Sequence, residues 1–275
     1  MIDIDRVRGI DVAYEDGGPT DDDAPIGAPL VWGHGLTCSI AEDDQFPMID
    51  WARIRRRHWV VRFDARGHGR SGPLGSPAEG AWDQLAMDEV GLIDELGLPE
   101  LLLGGASMGT ATALHAALFP GLRERLRGLV LTIPPTAWET RRDQAQLYET
   151  MADLVESGGV EALIEASAGL TPPDPFTEIE QWHDLRAASL RRADPQRLAA
   201  AFRGAAHADL PSREAEATIT APTLILAWSG DPGHPVTTAE ALAELMPNAE
   251  LQVTSTLEGL FGWTEAVEAF LESNG

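Results

Sequence analysis

The chain has 275 residues, 44% of them hydrophobic, which is enough for one large α/β domain or two small ones with a sizeable core. Its formal net charge is −24 and all 20 basic residues are arginine. A surface this acidic argues against nucleic acid and anionic lipid as partners.

Solubility, a salty cytoplasm or a GC-rich genome accounts for that charge without reference to any reaction. The opening MIDIDRVRGIDVAYEDGG has no basic end followed by an apolar run, so no signal peptide is expected. No later stretch is apolar for long enough to span a bilayer. The lone Cys38 allows no internal disulfide, which fits a reducing, cytoplasmic location.

In chain order, the apolar runs PLVW (29–32), WVVRF (59–63), LLLGG (101–105) and LVLTI (129–133) come first, and TLILAW (223–228) and ELQV (250–253) follow much later. Runs rich in Val, Ile and Leu without strict alternation suit strands covered on both faces, as in a parallel sheet. Helical patterns lie between them. In GAWDQLAMDEVGLIDELG, Trp82, Leu85, Ala86, Val90, Ile93 and Leu96 recur at helical spacing, with Gly97 where a C-terminal cap would sit. MGTATALHAALF, after Ser107, is a helix of small residues ending at Pro120-Gly121.

Strand alternating with helix predicts an α/β fold: a mostly parallel sheet with helices on both faces. From about Thr136 to Thr220 the rhythm breaks. No strand is evident there, and amphipathic runs such as QAQLYETMADLVE flank the loop GLTPPDPF. An insertion of that length is usually a functional element such as a lid. The predicted organisation is therefore a core of residues 1–135 and 221–275 with a helical cap over 136–220.

LLLGGASMGTA (101–111) carries the main chemical signal. An apolar strand that ends in Gly-x-Ser-x-Gly and opens into a helix is a way of holding up a serine as a nucleophile. Gly105 and Gly109 suit so sharp a turn, because side chains there would strike the backbone. The helix points its free N–H groups and its dipole at Ser107, and the N–H of Met108 becomes one oxyanion donor. The plainer alternative is a glycine-rich turn with no chemistry. A second donor is expected from Leu36 in VWGHGLTCS, where Gly35 lets the backbone turn its N–H inward. His34, in the same turn, reads better as a loop-fixing residue than as a base.

HG after one strand, D-x-RGHGRS (64–71) after the next and G-x-S-x-G after the third together resemble the α/β-hydrolase superfamily. The resemblance covers nearly the whole chain and puts residues 136–220 where that family carries its helical cap. It implies structural roles for His68 and Arg66. It also implies a triad acid after the strand that follows the cap, which is Asp231 in SGDPGHP (229–235). A plain turn-forming Asp is the other reading of that residue.

The family's base should follow the last strand, yet LQVTSTLEGLFGWTEAVEAFL (251–271) contains no histidine, and Thr256 or Leu257 occupies roughly that place. Of the seven histidines, His58 and His115 lie too far from Ser107. His183 and His207 fall in the cap and could hang over the serine. His234, three residues after Asp231, keeps the chain order Ser, acid, base and could reach Ser107 Oγ at about 2.6–3.2 Å. His234 is the assigned candidate, with His183, His207 or no histidine at all left open.

These readings combine into a hydrolase that cleaves a small apolar carboxylic ester or lactone through a Ser107 acyl-enzyme, with Asp231 and His234 as acid and base. The apolar preference rests on Trp138, Trp182, Phe202 and Trp228, which could equally be core. The rivals are a lyase or cyclase using Ser107 and the oxyanion loop as donors only, and an inactive ligand-binding protein on the same scaffold. No histidine or cysteine cluster has metal-ligand spacing, so no metal or organic cofactor is expected. The expected partner is a small-molecule substrate, and the oligomeric state, including a homodimer, stays open.

Overall fold

The structure, a computed structural model, describes residues 1–19, 25–45 and 48–275. In chain order it contains β1 (Ile2–Val7), β2 (Ile10–Gly17), β3 (Leu30–Gly33), α1 (Ile40–Gln45), α2 (Trp51–Ile54) and β4 (Val60–Phe63). Next come α3 (Trp82–Glu95), β5 (Leu101–Ala106), α4 (Met108–Ala117), α5 (Pro120–Arg123) and β6 (Leu126–Thr132). The long helical stretch follows as α6 (Arg141–Ser167), α7 (Trp182–Leu190), α8 (Pro195–Ala206) and α9 (Arg213–Glu216). The chain closes with β7 (Thr223–Trp228), α10 (Val236–Leu245), β8 (Ala249–Thr254), α11 (Leu257–Phe261) and α12 (Trp263–Asn274).

The eight strands form one sheet in the order β1-β2-β4-β3-β5-β6-β7-β8. From β4 to β8 all neighbours are parallel, while β1–β2 and β2–β4 pair antiparallel. The six runs predicted as strands are all strands. The hairpin of β1 and β2 is an addition that the search for unbroken apolar runs misses. IDIDRV alternates apolar with charged residues because this edge is wet on one side, and Arg8 and Gly9 turn it with φ of 46° and 86°, the paired positive values of a tight two-residue hairpin.

Strands β3, β4, β5 and β7 are buried along their whole length, as continuous Val, Ile and Leu runs require. Within them side chains alternate between two cores. Val31, Leu103, Leu131 and Ile225 face the cluster under α3 and α4, whereas Trp32, Leu102, Val130 and Leu226 face the one under α12. Each such leucine contributes about 2 kcal/mol by leaving water. β8, the outer strand, is half exposed.

Among the described residues, 136–220 contains no strand. Gly159, with φ 70° and ψ −170°, breaks α6 into two pieces. Leu163, Leu198 and Phe202 extend the first core cluster, while Phe176 and Trp182 join the second beside Trp228. Buried Arg141 ties this stretch to α3. Its guanidinium carbon lies 4.1 Å from the Trp82 ring centre, and its Nε donates to the Ala208 carbonyl at 2.6 Å. Among the described residues no helix is long and apolar enough to cross a membrane.

Glu216 is 0% exposed, and neither of its carboxylate oxygens has a hydrogen-bond partner among the described residues. Burial pushes its pKa up to about 8. The folded chain therefore keeps this proton to about pH 8, while the unfolded chain releases it near its ordinary value of 4.5. Between those limits the unfolded state binds fewer protons, so stability falls as pH rises, by at most about 1.4 kcal/mol per pH unit. Glu216→Gln should match the native chain in thermal melts near pH 5 and exceed it increasingly towards pH 8.

Candidate active site

The parallel pairing aligns the carboxyl ends of the central strands. Gly33 lies opposite both Phe63 and Gly105, so the loops after β3, β4, β5 and β7 emerge on one edge. In open α/β sheets ligands bind beyond that edge, where the strand order reverses. Here the reversal lies around β3 and β5.

The turn from β5 into α4 lifts Ser107 out of the sheet with φ 52° and ψ −105°, a strained conformation for a residue with a side chain. Its N–H donates to the Thr132 carbonyl at 3.0 Å, and its own carbonyl accepts from Ala111 at 3.1 Å, which fixes the turn from both sides. A Cβ on Gly105 would overlap the backbone of Gly109, and one on Gly109 would overlap the Gly33 carbonyl. Glycine is required at both positions by close approach of three backbones. Ser107 itself is 7% exposed.

The loop after β7 brings the charge. His234 Nε2 lies 2.7 Å from Ser107 Oγ, and His234 Nδ1 lies 2.8 Å from Asp231 Oδ2. Both distances are within hydrogen-bond range, so Nδ1–H donates to the carboxylate and Nε2 is free to accept from the serine hydroxyl. Asp231 is held twice more, by the Trp228 indole N–H at 3.0 Å and the Gly233 N–H at 2.9 Å. Burial opposes its charge, but the hydrogen bond and charge of His234, with these two donors, outweigh it and hold the carboxyl well below the usual range. Asp231 thus stays ionised.

The loop is clamped from 136–220. Thr136 N–H donates to the Gly233 carbonyl at 3.2 Å, and Asp174 accepts from the Ser229 hydroxyl while its N–H donates to the Ser229 carbonyl at 3.0 Å. Gly230, with φ 78°, leaves no room for a Cβ beside Asp174.

The N–H groups of Leu36 and Met108 find no acceptor among the described residues. Gly35 does not use a positive φ. A Cβ there would make only ordinary contacts, with the Ala106 carbonyl at 3.8 Å, Cys38 Sγ at 3.9 Å and the Ser107 Cβ at 4.0 Å, so neither a positive φ nor a close approach requires glycine here. His34 accepts from the Ala65 N–H at 3.0 Å through Nε2 and meets the Gly35 carbonyl at 2.8 Å through Nδ1, so it braces the loop. His68 sits between the carbonyls of Leu36 and Arg66, and burial lowers its pKa to about 4. Arg66 makes a forked pair with Asp88 at 2.7 and 2.8 Å. Burial and the charges of Asp43 and Glu42 push the pKa of the Cys38 thiol up to about 12.

The other histidines do not meet Ser107. His183 is exposed and lies against its neighbour Trp182, while the His207 side chain is 64% exposed and faces Glu149 at 3.9 Å. His115 reaches the Asp209 carbonyl and His58 the Ile26 carbonyl. In the loop after β8, Thr256 caps α11 through the Gly259 N–H and Leu257 packs against the second core. Of the aromatics considered for a substrate pocket, Phe202 stacks on Tyr148, Trp138 is covered by Arg213, and Trp228 supports the acid loop. Their packing roles leave little to argue an apolar substrate from. Among the described residues no three His, Cys, Asp or Glu side chains converge to hold a metal ion.

A family model described as alpha/beta hydrolase fold matches residues 34–258, and the chain belongs to this family. It is 28% identical over 233 residues to 3-oxoadipate enol-lactonase 2 of Acinetobacter baylyi, covering 80% of this chain and 81% of that protein. It is 31% identical over 241 residues to a putative carbamate hydrolase, RutD, of Pseudomonas savastanoi pv. phaseolicola, covering 83% and 84%. The enol-lactonase structure from Burkholderia xenovorans LB400 superposes with a TM-score of 0.76 at 22% identity, covering 98% of this chain and 97% of that one, which is a likeness of fold. These relatives support a hydrolase on this scaffold.

Gly109→Ala should test the three-backbone contact. The added methyl group has nowhere to go without separating α4 from β3, so a loss of about 2–3 kcal/mol or more is expected in denaturant unfolding. Gly121→Ala, at a site with open space, should change stability little.

Proposed function

We propose that the chain hydrolyses a carboxylic ester or lactone by acyl transfer through Ser107. The observation that carries this reading is the continuous relay from Ser107 Oγ to His234 Nε2 at 2.7 Å and from His234 Nδ1 to Asp231 at 2.8 Å. Ser107 Oγ attacks the acyl carbon while its proton passes to His234 Nε2. Asp231 keeps the ring in the tautomer that accepts this proton and balances the imidazolium that forms. The carbonyl oxygen, now an oxyanion, is taken by the N–H groups of Leu36 and Met108, helped by the positive end of α4. His234 returns the proton to the leaving alkoxide. In the second half a water, deprotonated by His234, releases the acid and restores Ser107.

The base is non-standard in place, not in chemistry: acid and base share one loop. The names of the two relatives, a lactonase and a putative carbamate hydrolase, support acyl hydrolysis here too. Residues 136–220 we take to be the cap that closes the site.

Ser107→Ala and His234→Ala should each lower kcat for a 4-nitrophenyl ester by about 10⁴-fold or more, and Asp231→Asn by a similar order. Exposure to a fluorophosphonate followed by intact-mass measurement should give one adduct on the native chain and none on Ser107→Ala. Full-rate labelling of His234→Ala would remove His234 as the base. Retention of activity by Ser107→Ala on a true substrate would favour a non-hydrolytic use of the site.

A further inference from the structure

Strand β7 ends in Trp228, so the last side chain of that strand stands at the root of the loop that carries Asp231 and His234. The indole is buried and its orientation is fixed by other rings. It stacks on Trp263 of α12, with ring centres 5.8 Å and planes 11° apart, and meets Phe176 edge to face at 5.1 Å. It stands at 90° to the His234 imidazole at 6.3 Å. An indole has one N–H and no acceptor, and a buried one usually finds a partner for it. Here that partner is Asp231 Oδ2 at 3.0 Å.

Oδ2 is also the oxygen that faces His234 Nδ1 at 2.8 Å, whereas Oδ1 takes the Gly233 N–H at 2.9 Å. Two donors on one carboxylate oxygen have two consequences. The indole, anchored in its stack, fixes where Oδ2 lies and so the direction in which the imidazole is drawn. It also takes up part of the negative charge that would otherwise act on His234 alone. Gly233 belongs to the same loop as the carboxylate and cannot tie it to the sheet, whereas Trp228 can. Among the described residues, the other charged groups facing this loop are Asp174, which accepts from the Ser229 hydroxyl, and Arg186 of α7, which feels the charge of Asp231.

We propose that Trp228 is a positioning residue for the acyl transfer: its indole N–H aims Asp231 at His234 and tempers the pull of the carboxylate on the imidazolium, so that His234 serves as a base at lower pH than the Asp231–His234 pair alone would allow. This rests on the acyl-transfer reading of Ser107. A hydrogen bond to the ionised carboxylate stabilises it and leaves it a poorer acceptor towards the ring. Without the indole the carboxylate is more basic, holds the proton on the imidazole more firmly and delays base function to higher pH. With Asp231 and His234 on one loop, no second loop supplies the aim, and the end of β7 does so instead.

Trp228→Phe keeps a ring in the stack and removes the N–H, and Trp263→Phe loosens the same stack without taking a donor from Asp231. For both variants and the native chain, the rate of fluorophosphonate labelling and kcat/KM for a 4-nitrophenyl ester are followed against pH. In Trp228→Phe the acid limb of both profiles should move up by about 0.5–1 pH unit, and kcat on the plateau should fall about 3- to 10-fold with KM little changed. Trp263→Phe should leave the midpoint in place. An unmoved midpoint in Trp228→Phe, or equal movement in both variants, would overturn the proposal and make Trp228 a packing residue. If Trp228→Phe does not fold, the native chain carries the test. One of its eight indole N–H signals in a proton–nitrogen correlation NMR spectrum should titrate together with the His234 ring protons and lose that titration in His234→Ala. The absence of any such indole signal would overturn the proposal. Labelling of the native chain with an unmoved midpoint in Trp228→Phe leaves the acyl-transfer reading standing. No labelling of the native chain removes that reading, and a titrating indole signal then still supports the hold of Trp228 on the Asp231–His234 pair.

Discussion

Three backbones meet at one point in this protein, and the site is built outward from it. Gly33 at the end of β3, Gly105 near the end of β5 and Gly109 in the first turn of α4 lie so close that none of the facing positions can carry a side chain without displacing another element. The contact drives α4 against the sheet and forces the sharp turn that leaves Ser107 at positive φ. The strain is held by hydrogen bonds to Thr132 and Ala111 and by Thr110, whose hydroxyl is within 2.7 Å of the Gly105 carbonyl. A serine placed this way keeps its geometry because the surrounding packing over-determines it.

The second constraint is electrostatic. Asp231 and His234 sit three residues apart, so their hydrogen bond is set by the shape of a single loop rather than by the meeting of two. Such a loop must be stiff, and it is held at several places: Trp228 and Gly233 on the carboxylate, Thr136 on the Gly233 carbonyl, and Asp174 on Ser229. Two of these clamps, Thr136 and Asp174, come from the helical stretch. That stretch therefore supports the Asp231–His234 pair as well as lying beside it, and the loop after β8 caps α11.

The charge of −24 is unevenly spent. Most carboxylates are solvated or paired with arginines at the surface, where such pairs add little stability. The exceptions are inside: Glu216 and Glu89, buried without hydrogen-bond partners among the described residues and pushed up in pKa by burial. Burial keeps these carboxyls protonated, at a cost in stability that grows as the pH rises above the ordinary carboxylate range.

Local pattern determined much of this molecule by itself. Continuous Val, Ile and Leu runs marked the central strands because those strands are covered on both faces, and Gly-x-Ser-x-Gly between a strand and a small-residue helix marked the turn, because steric exclusion at Gly105 and Gly109 is written in residue type. The β1–β2 hairpin escaped because its alternation is that of an edge strand wet on one face. Gly35 differed too, since neither a positive φ nor a close approach requires glycine there. Which histidine lies beside Ser107 could be decided only in three dimensions. His183, His207 and His234 were all compatible with the sequence, and hydrogen bonding acts through distances of about 3 Å that chain position does not specify.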